Sequence, residues 1–256
     1  PRTSPEPVLP YLGALSLTRL ALREPAQVEA ERDDVPGFAE LVPRYRAALA
    51  ERGAVDYDEQ ILGAAEVLLA DGAFRREAQG RWGRHLLVDE FQDLTPAHLL
   101  LLRLLAAPAL DLFGVGDDDQ VIYGHAGADP AFLVDYATHV PGAATHPLTV
   151  NYRCPRAVVR GARTLLAYNR RRVEKEIEPG PAAVDDRDAL AIRSCPPEQR
   201  LAELVGVVRG HLDAGVAPGE IAVLARVNAQ LLGPHVGLVM AGIPVASPVS
   251  PALLER

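Results

Sequence analysis

Two hydrophobic patterns divide the chain near residue 85. Before it, apolar residues recur about every 3.6 positions in the stretches GFAELVPRYRAALAERG (37–53) and DEQILGAAEVLLADG (58–72). This spacing predicts helices, and Gly53 and Gly72 are expected to stop them. After it, short apolar runs alternate with helical stretches. The pattern therefore predicts a helical segment over residues 1–84, followed by α/β layers with a parallel sheet.

The clearest α/β stretch lies between residues 85 and 120. LLVDE (86–90) and LDLFGVG (110–116) are typical of strands, and AHLLLLRLLA (97–106) between them is typical of a helix. Thr95 is a good N-cap, and Pro96 suits the first helical turn. About twenty residues separate the two strands, which is enough for a parallel crossover.

The remaining chain continues the alternation. Strands are predicted at 146–153, 188–195 and 219–227, and residues 178–186 are predicted to form a loop. Helices are predicted after Pro155, over 196–215 with Gly215 as its stop, and over 228–242.

Composition narrows the class of protein without deciding its function. The chain has 256 residues, of which 48% are hydrophobic and 23% charged, as in ordinary globular proteins. No apolar run is long enough to span a membrane, no signal peptide is recognisable, and two cysteines make neither a disulfide framework nor a zinc site. A cytoplasmic location is therefore expected. The net charge of −8 argues against a protein that coats nucleic acid, although a local basic groove remains compatible with it.

Acidic residues stand where two predicted strands end. Asp89 and Glu90 follow the first strand, and residues 117–119 follow the second. Ligands of open α/β sheets bind beyond these strand ends. An aspartate there can hold Mg²⁺, and a neighbouring glutamate can activate water. Gln120 could sense a terminal phosphate, and Arg153 could neutralise charge on a transferring phosphoryl group.

Each of these features also has a plain structural interpretation. An acid pair after a strand is common, GDDDQ (116–120) alone is often a solvated turn, and Arg153 alone is most often a surface arginine. The basic run NRRRVEK (169–175) could contact DNA phosphates, but a solvated helix end is favoured. The order and spacing of the acids, Gln120 and Arg153 together nevertheless favour a functional site.

Three stretches carry a family resemblance. They resemble the second, third and fourth motifs of superfamily 1 DNA helicases of the UvrD/Rep/PcrA type. Weaker similarities precede and follow them in the family's order, so that the resemblance extends over residues 55–256. The three main stretches are LLVDEFQDLTPAH (86–98), GVGDDDQVIYGHAGADP (114–130) and LTVNYRCP (148–155), and the weaker ones are VDYDEQI (55–61) and IAVLARVNAQ (221–230).

The resemblance implies a fold, an activity and cofactors. The fold would be α/β, with RecA-like parallel sheets of the P-loop NTPase type. Residues 1–84 would form part of an insertion in the first motor domain. Residues 85–146 would be the C-terminal part of that domain, and residues 147–256 the N-terminal part of the second. Such helicases couple hydrolysis of ATP with Mg²⁺ to 3′-to-5′ movement on single-stranded DNA.

The resemblance also assigns roles to single residues. Asp89 would hold Mg²⁺, Glu90 would activate water and Gln120 would contact the γ-phosphate. Arg153 would reach the same phosphate from the second motor domain.

Two further residues would lie near the DNA strand in such a helicase, namely Tyr123 and His125. The family usually has Trp or Phe followed by Arg at the positions of His125 and Ala126. The stacking role of His125 is accordingly weakened, and one positive contact to DNA is missing.

The P-loop and the last two motifs of the family have no counterpart in this sequence. A P-loop needs a lysine after glycine, but the only lysine, Lys175, follows no glycine-rich loop. We therefore expect this chain alone to be inactive, and to need the remaining motor parts as well as DNA as partners. A non-catalytic DNA-binding or scaffold relative is the alternative, and phosphatase-like or metal-dependent nuclease chemistry is a distant third.

Overall fold

A computed structural model describes residues 7–122, 124, 127–169, 172–173 and 175–246 of the chain. It divides the chain into two compact units, residues 1–189 and 190–256. This division does not decide the three-part domain assignment made from the sequence, which stays a prediction. Among the described residues, no helix has both the length and the apolar character needed to cross a bilayer.

The first unit begins with the predicted helical segment. Gly53 follows α3 with φ 60°, which confirms it as a helix stop. Gly72 does not stop a helix but begins the next one, because Asp71 accepts the backbone N–H groups of Ala73 and Phe74 as an N-cap. The helices are α1 (Leu9–Arg19), α2 (Pro25–Ala30), α3 (Phe38–Glu51), α4 (Tyr57–Ala70) and α5 (Gly72–Trp82).

A buried arginine connects three of these helices. The guanidinium of Arg19, at the end of α1, lies 2.5 Å from Asp56 and 3.1 Å from Glu59. Asp56 is also the N-cap of α4, where it accepts the N–H of Glu59. The Arg19 guanidinium stands 5.1 Å from the ring centre of Tyr45 on α3. The helical segment is thus joined by a buried ionic network in addition to its apolar core.

The sheet of the first unit matches the sequence prediction. β1 (Leu86–Val88) pairs in parallel with β2 (Leu112–Gly114), and α6 (Pro96–Ala106) lies between them in the chain. Thr95 caps α6, and its hydroxyl lies 2.8 Å from Nδ1 of His98 in a capping box. The predicted N-cap, proline start and parallel crossover are all confirmed.

An apolar cluster packs beside this sheet and fixes its end. The fully buried ring of Phe91 meets the ring of Tyr136 edge-to-face at 5.1 Å, and the Tyr136 hydroxyl donates to the Leu112 carbonyl at 2.8 Å. A Cβ on Gly114 would lie only 2.7 Å from the Phe91 ring, so a side chain at Gly114 would displace the ring. Two short helices complete this part, α7 (Ala131–Val134) and α8 (Tyr136–His139).

A second, shorter parallel pair follows. β3 (Val150–Asn151) pairs with β4 (Glu178–Pro179), and α9 (Arg156–Leu166) lies between them, with Pro155 as its N-cap residue. The helix predicted after Pro155 is therefore confirmed. The prediction that residues 178–186 are all loop is wrong, because the backbone N–H of Glu178 donates to Thr149 and so adds a strand.

The second unit is built on two helices, α10 (Arg200–Asp213) and α11 (Leu232–Met240), with Gly215 (φ 88°) after α10 as predicted. The strands predicted over 188–195 and 219–227 are not formed in the described residues. Ile221 does have extended backbone (φ −112°, ψ 121°), but it is not paired there with another strand. A strand needs a hydrogen-bonding neighbour, which an apolar pattern cannot supply.

Candidate active site at the ends of β1 and β2

The acid pair stands at the exposed end of β1. Glu90 adopts the left-handed conformation (φ 50°, ψ 44°), which is uncommon for any residue other than glycine. Its backbone N–H donates to Oδ1 of Asp89 at 2.9 Å, which fixes that carboxylate against the turn. Strained conformations of this kind concentrate at functional sites. The turn thus presents two carboxylates to solvent directly beyond the strand.

Gln92 connects this acid pair to the end of β2. Its side chain is 2% exposed, donates from Nε2 to Glu90 Oε2 at 2.7 Å, and accepts the Asp117 N–H at 2.9 Å. A Cβ on Gly116 would lie 2.6 Å from Oε1 of Gln92. A glycine is therefore needed at position 116 for the amide to bridge the two strand ends.

The same hydrogen-bonded chain reaches Gln120. Asp117 Oδ2 accepts the Gln120 side-chain amide at 2.8 Å, and the Asp117 carbonyl accepts the Gln120 backbone N–H at 2.9 Å. Glu90, Gln92, Asp117 and Gln120 thus form one continuous series of contacts. The structure brings Asp89, Glu90 and Gln120 to the same edge of the sheet, as their positions at strand ends predict.

The three acids after β2 are not a solvated turn. The side chains of Asp118 and Asp119 are 2% and 1% exposed. The ammonium group of Lys175 lies 2.6 Å from Asp117 Oδ1, 2.6 Å from Asp118 Oδ1 and 3.3 Å from Asp119 Oδ2. The only lysine of the chain is therefore held at the base of the candidate site.

Neighbouring residues of the basic run bind the same acids. Arg172 donates to Asp119 Oδ2 at 2.7 Å, Asn169 donates to Asp119 Oδ1 at 3.0 Å, and the backbone N–H of Val173 donates to Asp118 at 2.7 Å. The favoured interpretation of 169–175 as a solvated helix end is therefore wrong for Arg172 and Val173, which are partly buried, whereas Asn169 is exposed. The intramolecular acids also compete with any DNA phosphate for Arg172.

The charges of this cluster favour each other's ionised forms. Burial alone would raise the pKa of Asp117, but hydrogen bonds from Lys175 and Gln120 outweigh it, and the pKa falls below the usual value. Burial likewise opposes the charge of Lys175, but hydrogen bonds to Asp117 and Asp118 raise its pKa above the usual value. Carboxylate oxygens of the three aspartates lie within 4.8 Å of one another, a spacing that suits a cation. The lysine ammonium takes that position.

Asp93 differs from the other acids of the site. Burial, and next the charge of Glu90, raise its pKa above the usual value. Its Oδ1 is buried without a hydrogen-bond partner in the described part of the chain. The carboxyl of Asp93 therefore takes up a proton more readily than an ordinary aspartate does.

Arg153 follows β3 on an exposed turn. Its backbone N–H donates to Oδ1 of Asn151 at 3.0 Å, and the same oxygen accepts the Cys154 N–H at 2.8 Å. No hydrogen bond or ion pair among the described residues joins the Arg153 side chain to Glu90 or Gln120. The structure thus places Arg153 at a strand end, as predicted, without bringing it into the network.

Two predicted DNA contacts, Tyr123 and His125, fall outside the described residues and stay predictions. Conversely, Gln92 and Lys175 are central to the site although the sequence analysis gave neither a role. In the sequence, Gln92 stands between two acids, and Lys175 is the sole lysine. These were the signals that could have marked the two residues as candidates. Neither signal indicates a contact partner.

Comparisons with known proteins agree with the resemblance. Residues 15–141 match the UvrD/REP helicase N-terminal domain. The putative ATP-dependent DNA helicase YjcD of Bacillus subtilis is 31% identical over 189 residues, which cover 73% of this chain and 24% of that protein.

Two further relatives match over more of the chain. The ATP-dependent DNA helicase UvrD2 of Mycobacterium tuberculosis is 32% identical over 231 residues, or 85% of this chain and 32% of that protein. The ATP-dependent DNA helicase PcrA of Staphylococcus aureus is 28% identical over 223 residues, or 86% of this chain and 30% of that protein. The chain thus spans about a quarter to a third of the curated relatives it matches. On these matches and the three motifs, the chain belongs to the UvrD/PcrA-type helicase family.

Proposed function

We propose that this chain is the central motor segment of an ATP-dependent DNA helicase that moves 3′-to-5′ on single-stranded DNA. In this proposal β1 and β2 belong to a first RecA-like domain, and β3 and β4 to a second. The hydrogen-bonded series from Glu90 through Gln92 and Asp117 to Gln120 carries the proposal. It couples the residue suited to activate water to the residue suited to sense a terminal phosphate.

The residues at the end of β1 fit a magnesium ion. Mg²⁺ prefers hard carboxylate oxygens, and Asp89 is exposed and orientated by the Glu90 N–H. When bound, the ion would neutralise charge on the ATP phosphates. Residues 117–119 fit it less well, because the Lys175 ammonium already occupies the position between their carboxylates.

The chain's own residues would then divide the chemistry of hydrolysis. Glu90 would accept a proton from the attacking water, and its Oε2 is positioned by the Gln92 amide. Gln120 would donate to the γ-phosphate from a turn fixed by Asp117. Arg153 would stabilise negative charge on the transferring group once the second motor segment approaches.

The exposed face of the first sheet supports a need for further motor parts. Parallel sheets are normally covered on both faces, yet Leu87 and Phe113 are 81% and 60% exposed. The sole lysine is bound by aspartates and follows no glycine-rich phosphate loop. We therefore infer that these 256 residues alone neither hydrolyse ATP nor unwind DNA. Tyr123 and His125 as DNA contacts, and a cytoplasmic location, are part of the same proposal.

The direct test uses the complete gene product and the isolated 256 residues side by side. Steady-state ATP hydrolysis is measured with and without single-stranded DNA, and strand displacement with 3′- and 5′-tailed duplexes. The proposal predicts DNA-stimulated hydrolysis and displacement of the 3′-tailed duplex by the complete protein only. A folded complete protein that binds DNA without hydrolysing ATP would instead support the non-catalytic relative.

Arg153 offers a second test within the same assay. Arg153→Ala in the complete protein is expected to lower turnover, because charge on the transferring phosphoryl group loses a stabilising cation. Arg160→Ala, which removes an exposed arginine of α9 that pairs with Asp185, is the matched control. Equal turnover in both variants would remove Arg153 from the site.

A further inference from the structure

We propose that Lys175 is a positioning residue that couples the Gln120 turn to the Arg153 turn, so that both meet the same phosphate together. The proposal rests on the ATPase activity proposed above and assigns a role within that same site. Lys175 would not touch nucleotide. It would act through the aspartates it binds and through the strand that follows it.

One side of this connection is the turn after β2. Lys175 binds Oδ1 of Asp117, whose other oxygen binds the Gln120 amide. The ammonium group and the phosphate-sensing side chain thus share one carboxylate. Loss of the ammonium would leave Asp117 Oδ1 held only by the longer hydrogen bond from the Asp119 N–H at 3.2 Å, and the acceptor of Gln120 would be less well fixed.

The other side is the strand pair that leads to Arg153. Three residues after Lys175 the chain enters β4, and directly after β4 the Gly180 N–H donates to the Asn151 carbonyl at 2.8 Å. The side chain of Asn151 in turn accepts the Arg153 N–H at 3.0 Å. A short, hydrogen-bonded path therefore connects the lysine to the arginine turn.

The electrostatics explain why a lysine suits this place. Three carboxylates converge within 4.8 Å, two of them almost fully buried, and such a group is unstable without cations. A lysine ammonium is a compact charge with several donors, so that it can meet all three acids at once. Arg172 supplies a second cation from the same segment.

A purely structural role would make a different prediction. If Lys175 only offsets buried charge, its removal should lower stability and leave the turnover of the folded protein unchanged. If it positions Gln120 and Arg153, turnover should fall while ATP affinity is preserved, because the remaining nucleotide contacts are intact.

The experiment compares four variants of the complete gene product. Lys175→Met removes the ammonium, and Lys175→Arg keeps the charge with a different shape. Lys175→Met combined with Asp118→Asn removes a cation and an anion together, which protects folding if the single variant is unstable. Arg163→Met is the matched control, because Arg163 binds Glu178 of β4 but has no hydrogen bond or ion pair with 117–119 among the described residues.

Turnover number, KM for ATP and thermal midpoint are measured for each variant. We expect Lys175→Met and the double variant to lose about 10- to 100-fold in turnover number, the scale of a small misplacement of reacting groups, with KM unchanged. Lys175→Arg should recover part of the loss, and Arg163→Met should match wild type.

Hydrogen exchange of the complete gene product adds a readout that needs no turnover. Lys175→Met should speed exchange over both 112–122 and 147–156, whereas Arg163→Met should leave 112–122 unchanged. Wild-type turnover in folded Lys175→Met or in the double variant would overturn the positioning role alone. Absence of ATP hydrolysis in the wild-type complete protein would overturn the proposed function, and the positioning role with it.

Discussion

Two buried ionic networks of the first unit have similar chemistry but different surroundings. Arg19 is buried against Asp56 and Glu59, and Lys175 against residues 117–119. The partners of Arg19 lie at the start of α4, so that its network joins regular helices. The partners of Lys175 lie on a turn that also holds the exposed side chain of Gln120. The first network is explained by the packing of α-helices, whereas the second holds a single short 3₁₀ turn (Asp118–Gln120) after β2.

This difference shows how a buried ion pair can be interpreted. Such pairs are weak evidence for stability, because desolvation offsets much of the attraction. The surroundings therefore decide between a structural and a functional role. A network whose outermost member is an exposed polar side chain at a strand end is expected to affect activity. A network enclosed by helices is expected to affect stability alone.

The largest effect on stability is expected at Arg19. Arg19→Met removes the cation that pairs with Asp56, whereas Glu59 keeps its ion pair with Arg46. Loss of one partner of a buried pair costs about 3–5 kcal/mol, and we expect the lower end of that range because Glu59 stays paired. Urea unfolding of the isolated chain should show the loss. The folded complete protein should keep its turnover number, because this network does not reach the site.

The control for Arg19 is a nearby exposed pair. Arg23 forms an ion pair with Glu31 at the surface, and Arg23→Met should leave the unfolding midpoint unchanged. If Arg19→Met lowered turnover as strongly as Lys175→Met, the distinction between the two networks would fail.

A smaller loss of stability, with a loss of activity, is expected at Gln92. Gln92→Ala leaves the Asp117 N–H without its acceptor and costs about 1–3 kcal/mol. It also releases Glu90, and turnover of the complete protein should fall about 10- to 100-fold. Gln79→Ala is the control, since Gln79 donates to the Leu104 carbonyl away from the site. Gln79→Ala should lose some stability and no activity. A loss of turnover in Gln79→Ala but not in Gln92→Ala would contradict a role for the hydrogen-bonded series from Glu90 to Gln120.

The smallest expected effect is a pH dependence at His98. Burial lowers the pKa of His98 below its usual value, and the charge of Asp58 opposes this only in part. The neutral form of His98 is favoured in the folded state. The contribution of neutral His98 to the free energy of unfolding is therefore present above the pKa of about 6.5 that the side chain has in the unfolded chain. It is lost as pH falls through the folded pKa, because a protonated Nδ1 cannot accept from the Thr95 hydroxyl.

His98→Gln keeps a capping box without a titrating group. The unfolding midpoint of the isolated chain is measured at several pH values between about 7 and 5. As the pH falls, the midpoint should decrease less for His98→Gln than for wild type, because a glutamine takes up no charge in the range where the His98 imidazole does. Equal slopes would show that the capping box of α6 is insensitive to His98 charge.

Local sequence signals predicted the first sheet and its acids well. Thr95, Pro96 and the apolar run of α6 are local features, and the parallel crossover follows from their length. Asp89, Glu90 and Gln120 follow the ends of these parallel strands. Their position at one edge of the sheet can therefore be expected from the sequence alone. These are the parts of the site that a pattern can encode.

Long-range partners could not be read from the pattern. Lys175 lies 58 residues from Asp117, and nothing in a basic run distinguishes an internal ion pair from a DNA contact. The strands predicted over 188–195 and 219–227 failed for a related reason, since a strand depends on a neighbour elsewhere in the chain. Gly72 was misjudged because Asp71 beside it caps a new helix.

The most direct test of the account is Glu90→Gln in the complete gene product. ATP binding is followed with a fluorescent analogue, and DNA-stimulated hydrolysis is measured on the same preparation. We expect unchanged binding and a fall in turnover of about 10²- to 10⁴-fold, the range for a lost general base. Glu77→Gln, which changes an exposed glutamate of α5, should behave as wild type. Wild-type turnover in Glu90→Gln would contradict the placement of the active site at the ends of β1 and β2.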